Sequence, residues 1–117
     1  MLLADTSVWI EHFRHGRAAL VDRLMEGIVL IHPFVAGELA CGSLKNRSDT
    51  LADLFALPHA TAASDSEVLQ LIEDHRLWGR GLGWIDAHLL ASALLSNCRL
   101  WTLDVKLAKA ASDLGVG

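Results

Sequence analysis

Short apolar runs alternate with helix-like patterns along the whole chain, and this alternation limits the folds that it can adopt. No apolar run is longer than four residues, which excludes a membrane-spanning helix. The run at residues 28–31 is β-branched, lies between Gly27 and Pro33 and shows no polar alternation, as expected for a buried strand of a parallel sheet. Further strands are predicted at residues 2–4 and 98–103, with a weaker candidate at 60–63. Helical patterns separate them, so we predict an α/β fold with helices on both faces of the sheet.

The length of the chain and its cysteine usage narrow the class further. With 117 residues, 52% of them hydrophobic, the chain can bury a core, and we predict a single domain over residues 1–117. Asp5 interrupts the opening apolar run too early for a signal peptide, and the two cysteines fit neither a disulfide framework nor a zinc site. We therefore expect a cytoplasmic protein. The chain ends at Gly117, where one more edge strand would be expected.

The charge balance points to one acidic spot. Fourteen Asp and Glu stand against ten Lys and Arg, for a net charge of −4. Setting aside four acids that we predict to share a pocket leaves ten acidic against ten basic residues. These four are Asp5, Glu38, Asp86 and Asp104. A globally basic nucleic-acid binder is thereby excluded, whereas a local basic patch is not.

The four acids follow predicted strands or begin predicted helices. Asp5 comes directly after the first strand and Asp104 after the last, while Glu38 and Asp86 lie in the first turns of helices. Because ligands of parallel α/β sheets bind at the carboxyl ends of the strands, we expect these side chains to converge there. Singly, each has a simpler interpretation: Asp5 and Asp104 as helix caps, Glu38 as an exposed helix residue. Asp86 lies in an almost uncharged helix, where a carboxylate needs a partner or a metal.

Converging carboxylates predict a divalent cation. Like charges raise one another's pKa unless a cation neutralises them. Oxygen ligands without cysteine or clustered histidine favour Mg²⁺ or Mn²⁺ over zinc. Such a site can bind phosphate, activate water and stabilise a leaving oxygen.

Four segments in this order resemble a known family. They are LADTSVWI at 3–10, VAGEL at 35–39, WIDAHLLASA at 84–93 and LWTLD at 100–104. The chain resembles PIN-domain ribonucleases, and more closely the VapC-type toxins of bacterial and archaeal toxin–antitoxin pairs. The resemblance implies a three-layer α/β/α fold with a central parallel sheet. In one departure, Val105-Lys106-Leu107 follows Asp104 where the family commonly has an aromatic residue.

The resemblance also implies roles for individual residues. Asp5, Asp86 and Asp104 would hold the ion, and Glu38 would bind it directly, through water or through a second ion. Ser7, with Thr6, would hydrogen-bond to Asp5, to water on the metal or to the substrate phosphate. Family members cut single-stranded or looped RNA, often tRNA or ribosomal RNA, by metal-dependent hydrolysis that leaves a 5′-phosphate and a 3′-hydroxyl. A homodimer and a cognate antitoxin are the partners that the family implies.

Three other interpretations of the same residues stay open. A PIN nuclease could act in RNA processing without an antitoxin, or a non-catalytic PIN-like module could accept an arginine of a partner protein in its acidic pocket. A receiver-like phosphoacceptor domain also gathers acids at strand ends. That fold needs a lysine after its last strands, whereas Lys106 lies in a predicted helix.

Two basic pairs are candidates for holding the RNA backbone. Arg76 and Arg80 precede the glycine-rich segment at residues 79–83, and Lys45 and Arg47 follow the helix of Glu38. Either pair could contact phosphates beside the acids. For each pair, a solvated helix face is the favoured interpretation.

Overall fold

The computed structural model describes residues 1–117 as three strands and seven helices. In chain order these are β1 (Leu2–Ala4), α1 (Thr6–His15), α2 (Ala18–Met25), β2 (Val29–Leu30), α3 (Pro33–Ala40), α4 (Arg47–Ala56), α5 (Asp65–His75), α6 (Trp84–Leu95), β3 (Arg99–Trp101) and α7 (Val105–Asp113). No helix is both long and apolar enough to span a bilayer.

The strands form one parallel sheet with β1 at its centre. The strand order is β2-β1-β3, and Leu3 is in register with Leu30 on one side and Leu100 on the other. Successive strand residues point to opposite faces, and both Leu3 and Ala4 are fully buried, so helices cover both faces. Helices α1, α3 and α4 pack in series, as do α5, α6 and α7. The predicted three-layer α/β/α fold is confirmed.

Residues 60–63 do not form the strand that we predicted. Beside β2 there is a single parallel bridge, between Ile31 and His59, and the amide of Ala60 donates to the carbonyl of Ile31. The next amide, that of Thr61, donates instead to the Ser96 hydroxyl at 2.8 Å. Because the Thr61 amide bonds to the Ser96 side chain and not to a strand, the pairing with β2 ends after the Ile31–His59 bridge.

The last strand is also shorter than the predicted 98–103, because the backbone turns toward α1 after Trp101. The amide of Leu103 donates to the Ser7 hydroxyl at 3.0 Å rather than to a neighbouring strand. On the outer edge of β3, the amide of Leu100 donates to the carbonyl of Val116 at 2.7 Å, so the segment after α7 returns beside the sheet.

Two buried histidines lie between α3, α5 and α6. His32 is 1% exposed, and its Nδ1 caps α3 by accepting the amide of Phe34 at 3.0 Å. The His88 ring lies 6.5 Å from that of His32, and its Nε2 is 3.1 Å from the Asp65 carboxylate. Burial and the neighbouring His88 lower the pKa of His32 to about 4.

Acid should therefore destabilise the fold through His32. The pKa of His32 in the folded chain, about 4, lies below its ordinary 6.5, so its contribution is complete above pH 6.5 and lost as pH falls toward 4. The linked loss is up to about 3 kcal/mol. His32→Asn keeps an N-cap acceptor without the titration. Urea denaturation at both ends of this range should show a smaller acid loss in the variant, whereas equal losses would contradict the assignment.

Two glycines with open space around them should respond oppositely to alanine. A Cβ would meet nothing within 4 Å at either Gly37, inside α3, or Gly27, whose φ is +71°. Gly37→Ala should raise the free energy of unfolding by about 1 kcal/mol, because alanine favours helix. Gly27→Ala should lower it by about 1 kcal/mol, because the left-handed conformation strains an L side chain. Denaturant titration measures both, and changes of the same sign would be inconsistent with these conformations.

Candidate active site

Asp5 lies at the carboxyl end of the central strand and caps α1. It is 6% exposed, and its Oδ1 accepts hydrogen bonds from the amide and hydroxyl of Ser7 and from the amide of Val8. The carboxylate therefore satisfies the free amides at the start of α1, where the helix dipole also favours a negative charge. The strand end and the helix start together fix one orientation for this side chain.

Thr102, which follows β3, holds the other oxygen of Asp5. Its hydroxyl donates to Asp5 Oδ2 at 2.6 Å and accepts the amide of Asp104 at 3.0 Å. One hydroxyl thus connects the first of the four predicted acids, Asp5, to the backbone of the last, Asp104. The sequence pattern by itself assigns Thr102 no role. Its place two residues before Asp104, directly after a strand, is the signal that could have identified it.

Asp104 begins α7 as Asp5 begins α1. Its Oδ1 accepts the amides of Lys106 at 2.8 Å and Leu107 at 3.1 Å. The side chain is exposed, and its Oδ2 accepts no hydrogen bond. Capping therefore occupies one oxygen of Asp104 and leaves the other free for a ligand.

Glu38 is joined to the segment after Asp5. The hydroxyl of Thr6 donates to Glu38 Oε1 at 3.3 Å, across the contact between α1 and α3. Glu38 is exposed, and its Oε2 has no partner. The family resemblance implies a shared role for Thr6 and Ser7 at Asp5, but the two hydroxyls contact different acids: Thr6 contacts Glu38 and Ser7 contacts Asp5.

Asp86 is held at the start of its own helix. Its Oδ2 accepts the amide of Gly83 at 2.9 Å, which closes the first turn of α6, and its Oδ1 is unpartnered. It makes no hydrogen bond to the segments that carry the other three acids. The nearest link is the glycine turn before it, where Gly81 lies against the Lys106 side chain of α7.

The Thr102 hydroxyl joins Asp5 to the amide of Asp104, the Thr6 hydroxyl joins Glu38 to the residue after Asp5, and Asp86 lies on an adjoining turn. No three or more His, Cys, Asp or Glu side chains lie close enough together to hold a metal ion. Each exposed or half-buried acid nevertheless keeps one carboxylate oxygen without a partner. These donors are the hard oxygens that Mg²⁺ and Mn²⁺ prefer. The donor set fits such an ion, and holding it requires the side chains to approach one another more closely.

An open cavity of 520 Å³ lies away from the four acids. Its lining includes Met1, Ile28 and Arg99, which are at the amino ends of the strands, opposite the acids.

Comparison with known proteins identifies the family. The chain matches the PIN domain over residues 2–113. It belongs to the PIN-domain family. Two relatives named Ribonuclease VapC32, from Mycobacterium tuberculosis strains CDC 1551 / Oshkosh and ATCC 25618 / H37Rv, are each 49% identical over 120 residues. The match covers 99% of this chain and 94% of each relative. The resemblance that the four segments indicated is thus confirmed.

Thr102 is the residue on which the geometry of this PIN-domain site can be tested. Thr102→Val keeps the shape but leaves Asp5 Oδ2 and the amide of Asp104 without their partner, at a cost of about 1–3 kcal/mol in the free energy of unfolding. Thr102→Ser restores the hydroxyl and should recover most of that loss. Denaturation of the two variants measures the difference. Equal stabilities of the valine and serine variants would show that the bridge contributes nothing.

Proposed function

We propose that this PIN-domain protein is a metal-dependent endoribonuclease that acts as the toxin of a toxin–antitoxin pair. The observation that carries the proposal is the 49% identity to a ribonuclease over 99% of the chain. The arrangement of Asp5 and its partners supports it, because a buried carboxylate with four hydrogen bonds is built for a defined orientation.

The acids that would hold the cation are Asp5, Glu38, Asp86 and Asp104. Mg²⁺ or Mn²⁺ bound there would polarise a phosphate, lower the pKa of a water molecule and stabilise the leaving oxygen. Asp5 would supply the lone pairs that its hydrogen bonds leave unused, and the other three would supply their unpartnered oxygens. Two of these acids, Asp5 and Asp104, keep their orientation because each caps a helix.

Ser7 acts in this proposal as a positioning residue. Its hydroxyl donates to Asp5 Oδ1 and accepts the amide of Leu103, so its proton is already engaged within the protein. Of the three partners that the family resemblance implies for Ser7, we therefore keep Asp5 and leave out the metal-bound water and the substrate phosphate. Ser7 orients Asp5 and ties the turn after β3 to the start of α1, and we assign it no contact with the substrate.

The reaction we propose is hydrolysis of an RNA phosphodiester bond. A water molecule attacks phosphorus in line with the departing 3′-oxygen, one P–O bond forms as the other breaks, and the leaving oxygen takes up a proton. Because water attacks and the 3′-oxygen departs, the products carry a 5′-phosphate and a 3′-hydroxyl. Single-stranded or looped RNA, such as parts of tRNA or ribosomal RNA, is the substrate class that the family resemblance favours.

From the same resemblance we also propose an antitoxin partner, a homodimer and a cytoplasmic location. A cognate antitoxin holds the nuclease inactive, and a second copy of the chain forms a homodimer with it. Exposed apolar side chains on α1, α2 and α4, namely Phe13, Val21, Met25 and Phe55, offer surface for such partners. Both cysteines are free, which suits action in the reducing cytoplasm.

Asp5→Asn tests the proposed activity. Purified protein is incubated with total RNA, with Mg²⁺ or with a chelator, and the ends of the cut strands are mapped. Asp5→Asn should lower the cleavage rate by at least about 100-fold, since even partners outside the metal's ligands are worth 10- to 100-fold. Asp53→Asn removes a charge from an exposed acid on α4 and should cleave like the unmodified chain.

Clean metal-dependent cleavage by Asp5→Asn would rule out the role of Asp5. If the unmodified chain neither binds Mn²⁺ nor cuts RNA, yet binds a partner protein tightly, the non-catalytic module becomes the better account. If the protein cleaves RNA but no antitoxin gene lies beside its own gene, a role in RNA processing is favoured.

A further inference from the structure

Most of the cationic side chains are already engaged with partners. Arg80 of the glycine turn pairs with Asp113 at 2.8 Å, so one of the candidate residues for holding the RNA backbone is tied to α7. Arg47, from the other predicted pair, donates to the carbonyls of Ala40 and Gly42. The same holds for Arg23 with Glu26, Lys109 with Asp113, Arg99 with the carbonyl of Gly117 and Arg17 over the Trp101 ring. Each of these would have to share its charge between a phosphate and its present partner.

Lys106 is placed differently. It is the second residue of α7, and its amide donates to the Asp104 carboxylate. Its side chain lies over Gly81, so a Cβ there would be 2.8 Å from Lys106 Cδ and 2.9 Å from Nζ. The ammonium group makes no ion pair. It lies between the turn that supports Asp86 and the helix start that supports Asp104.

The surroundings hold this lysine in place. Gly81 has a φ of +75° and no side chain, so the turn passes close beneath the lysine stem. The ion pair of Arg80 and Asp113 fastens the same turn to α7. Packing of the side chain against the turn reduces the entropy that binding would cost, and Lys106 is still exposed. The glycine and the ion pair thus position a free cation at the rim of the acids.

A cation at this place would offset the repulsion between the acidic site and the negatively charged RNA backbone. The chain has a net charge of −4, and in the function proposed above four of its acids hold the cation where RNA would bind. RNA adds one negative charge per nucleotide, and lysine binds phosphate as a mobile point charge. We propose that Lys106 binds a backbone phosphate of the RNA strand beside the acidic site. The assignment rests on the nuclease function proposed above.

The salt dependence of RNA binding tests the assignment. All variants carry Asp5→Asn, so that the RNA stays intact, and binding of a fluorescein-labelled oligouridine of about twelve nucleotides is followed by anisotropy. For single strands, the slope of log affinity against log salt is about −0.7 per phosphate neutralised. Lys106→Gln should therefore make the slope shallower by about 0.7. Lys106→Arg should restore the slope.

Lys109→Gln is the matched control. It removes the same charge from the same helix, three residues further on, and its side chain pairs with Asp113 rather than lying over the turn. Equal slopes for Lys106→Gln and Lys109→Gln would overturn the assignment. Weaker binding by Lys106→Gln with an unchanged slope would also overturn it, because that result reports a packing role alone.

Cleavage by the unmodified chain is measured separately. Metal-dependent cleavage together with equal slopes overturns the Lys106 assignment and leaves the proposed function standing. Absence of cleavage overturns the proposed function itself, whatever the slopes are.

Discussion

The site depends on the fixed carboxylate of Asp5 at the end of the central strand. Burial of an ionised group is costly unless its hydrogen bonds are satisfied, and here the start of α1, the Ser7 hydroxyl and the Thr102 hydroxyl satisfy it. These partners come from opposite ends of the chain. The start of α1 holds Asp5 Oδ1 locally, whereas Oδ2 gains its partner Thr102 only when β1 and β3 pair, so the complete carboxylate environment depends on the sheet.

The helix starts help the fold to tolerate several acids on one edge. Asp5 and Asp104 are N-caps, and Asp86 is the third residue of α6, so each lies where backbone amides and the helix dipole favour a negative charge. From the sequence, a bound cation is the one expected source of relief for the repulsion between these acids. The structure adds a second source of stabilisation that is present before any cation binds, and it leaves one oxygen free on Asp86 and Asp104.

The sequence predicted the parts of this site that depend on local rules. An acid directly after an apolar run, followed by a helical pattern, located Asp5 and Asp104 because strand ends and helix caps are short-range features. Thr102 was missed because its role depends on a contact with a residue 97 positions away. The false strand at 60–63 has a similar cause, since the Ser96 hydroxyl that diverts Thr61 is distant in sequence.

Diffraction from crystals grown with Mn²⁺ tests the central claim most directly, because the anomalous signal locates the ion without reference to activity. The account predicts a manganese peak at the carboxyl ends of the strands, contacted by carboxylate oxygens of Asp5 and Asp104 and by at least one of Glu38 and Asp86. A peak bound only elsewhere on the protein, or none at saturating Mn²⁺, would contradict it.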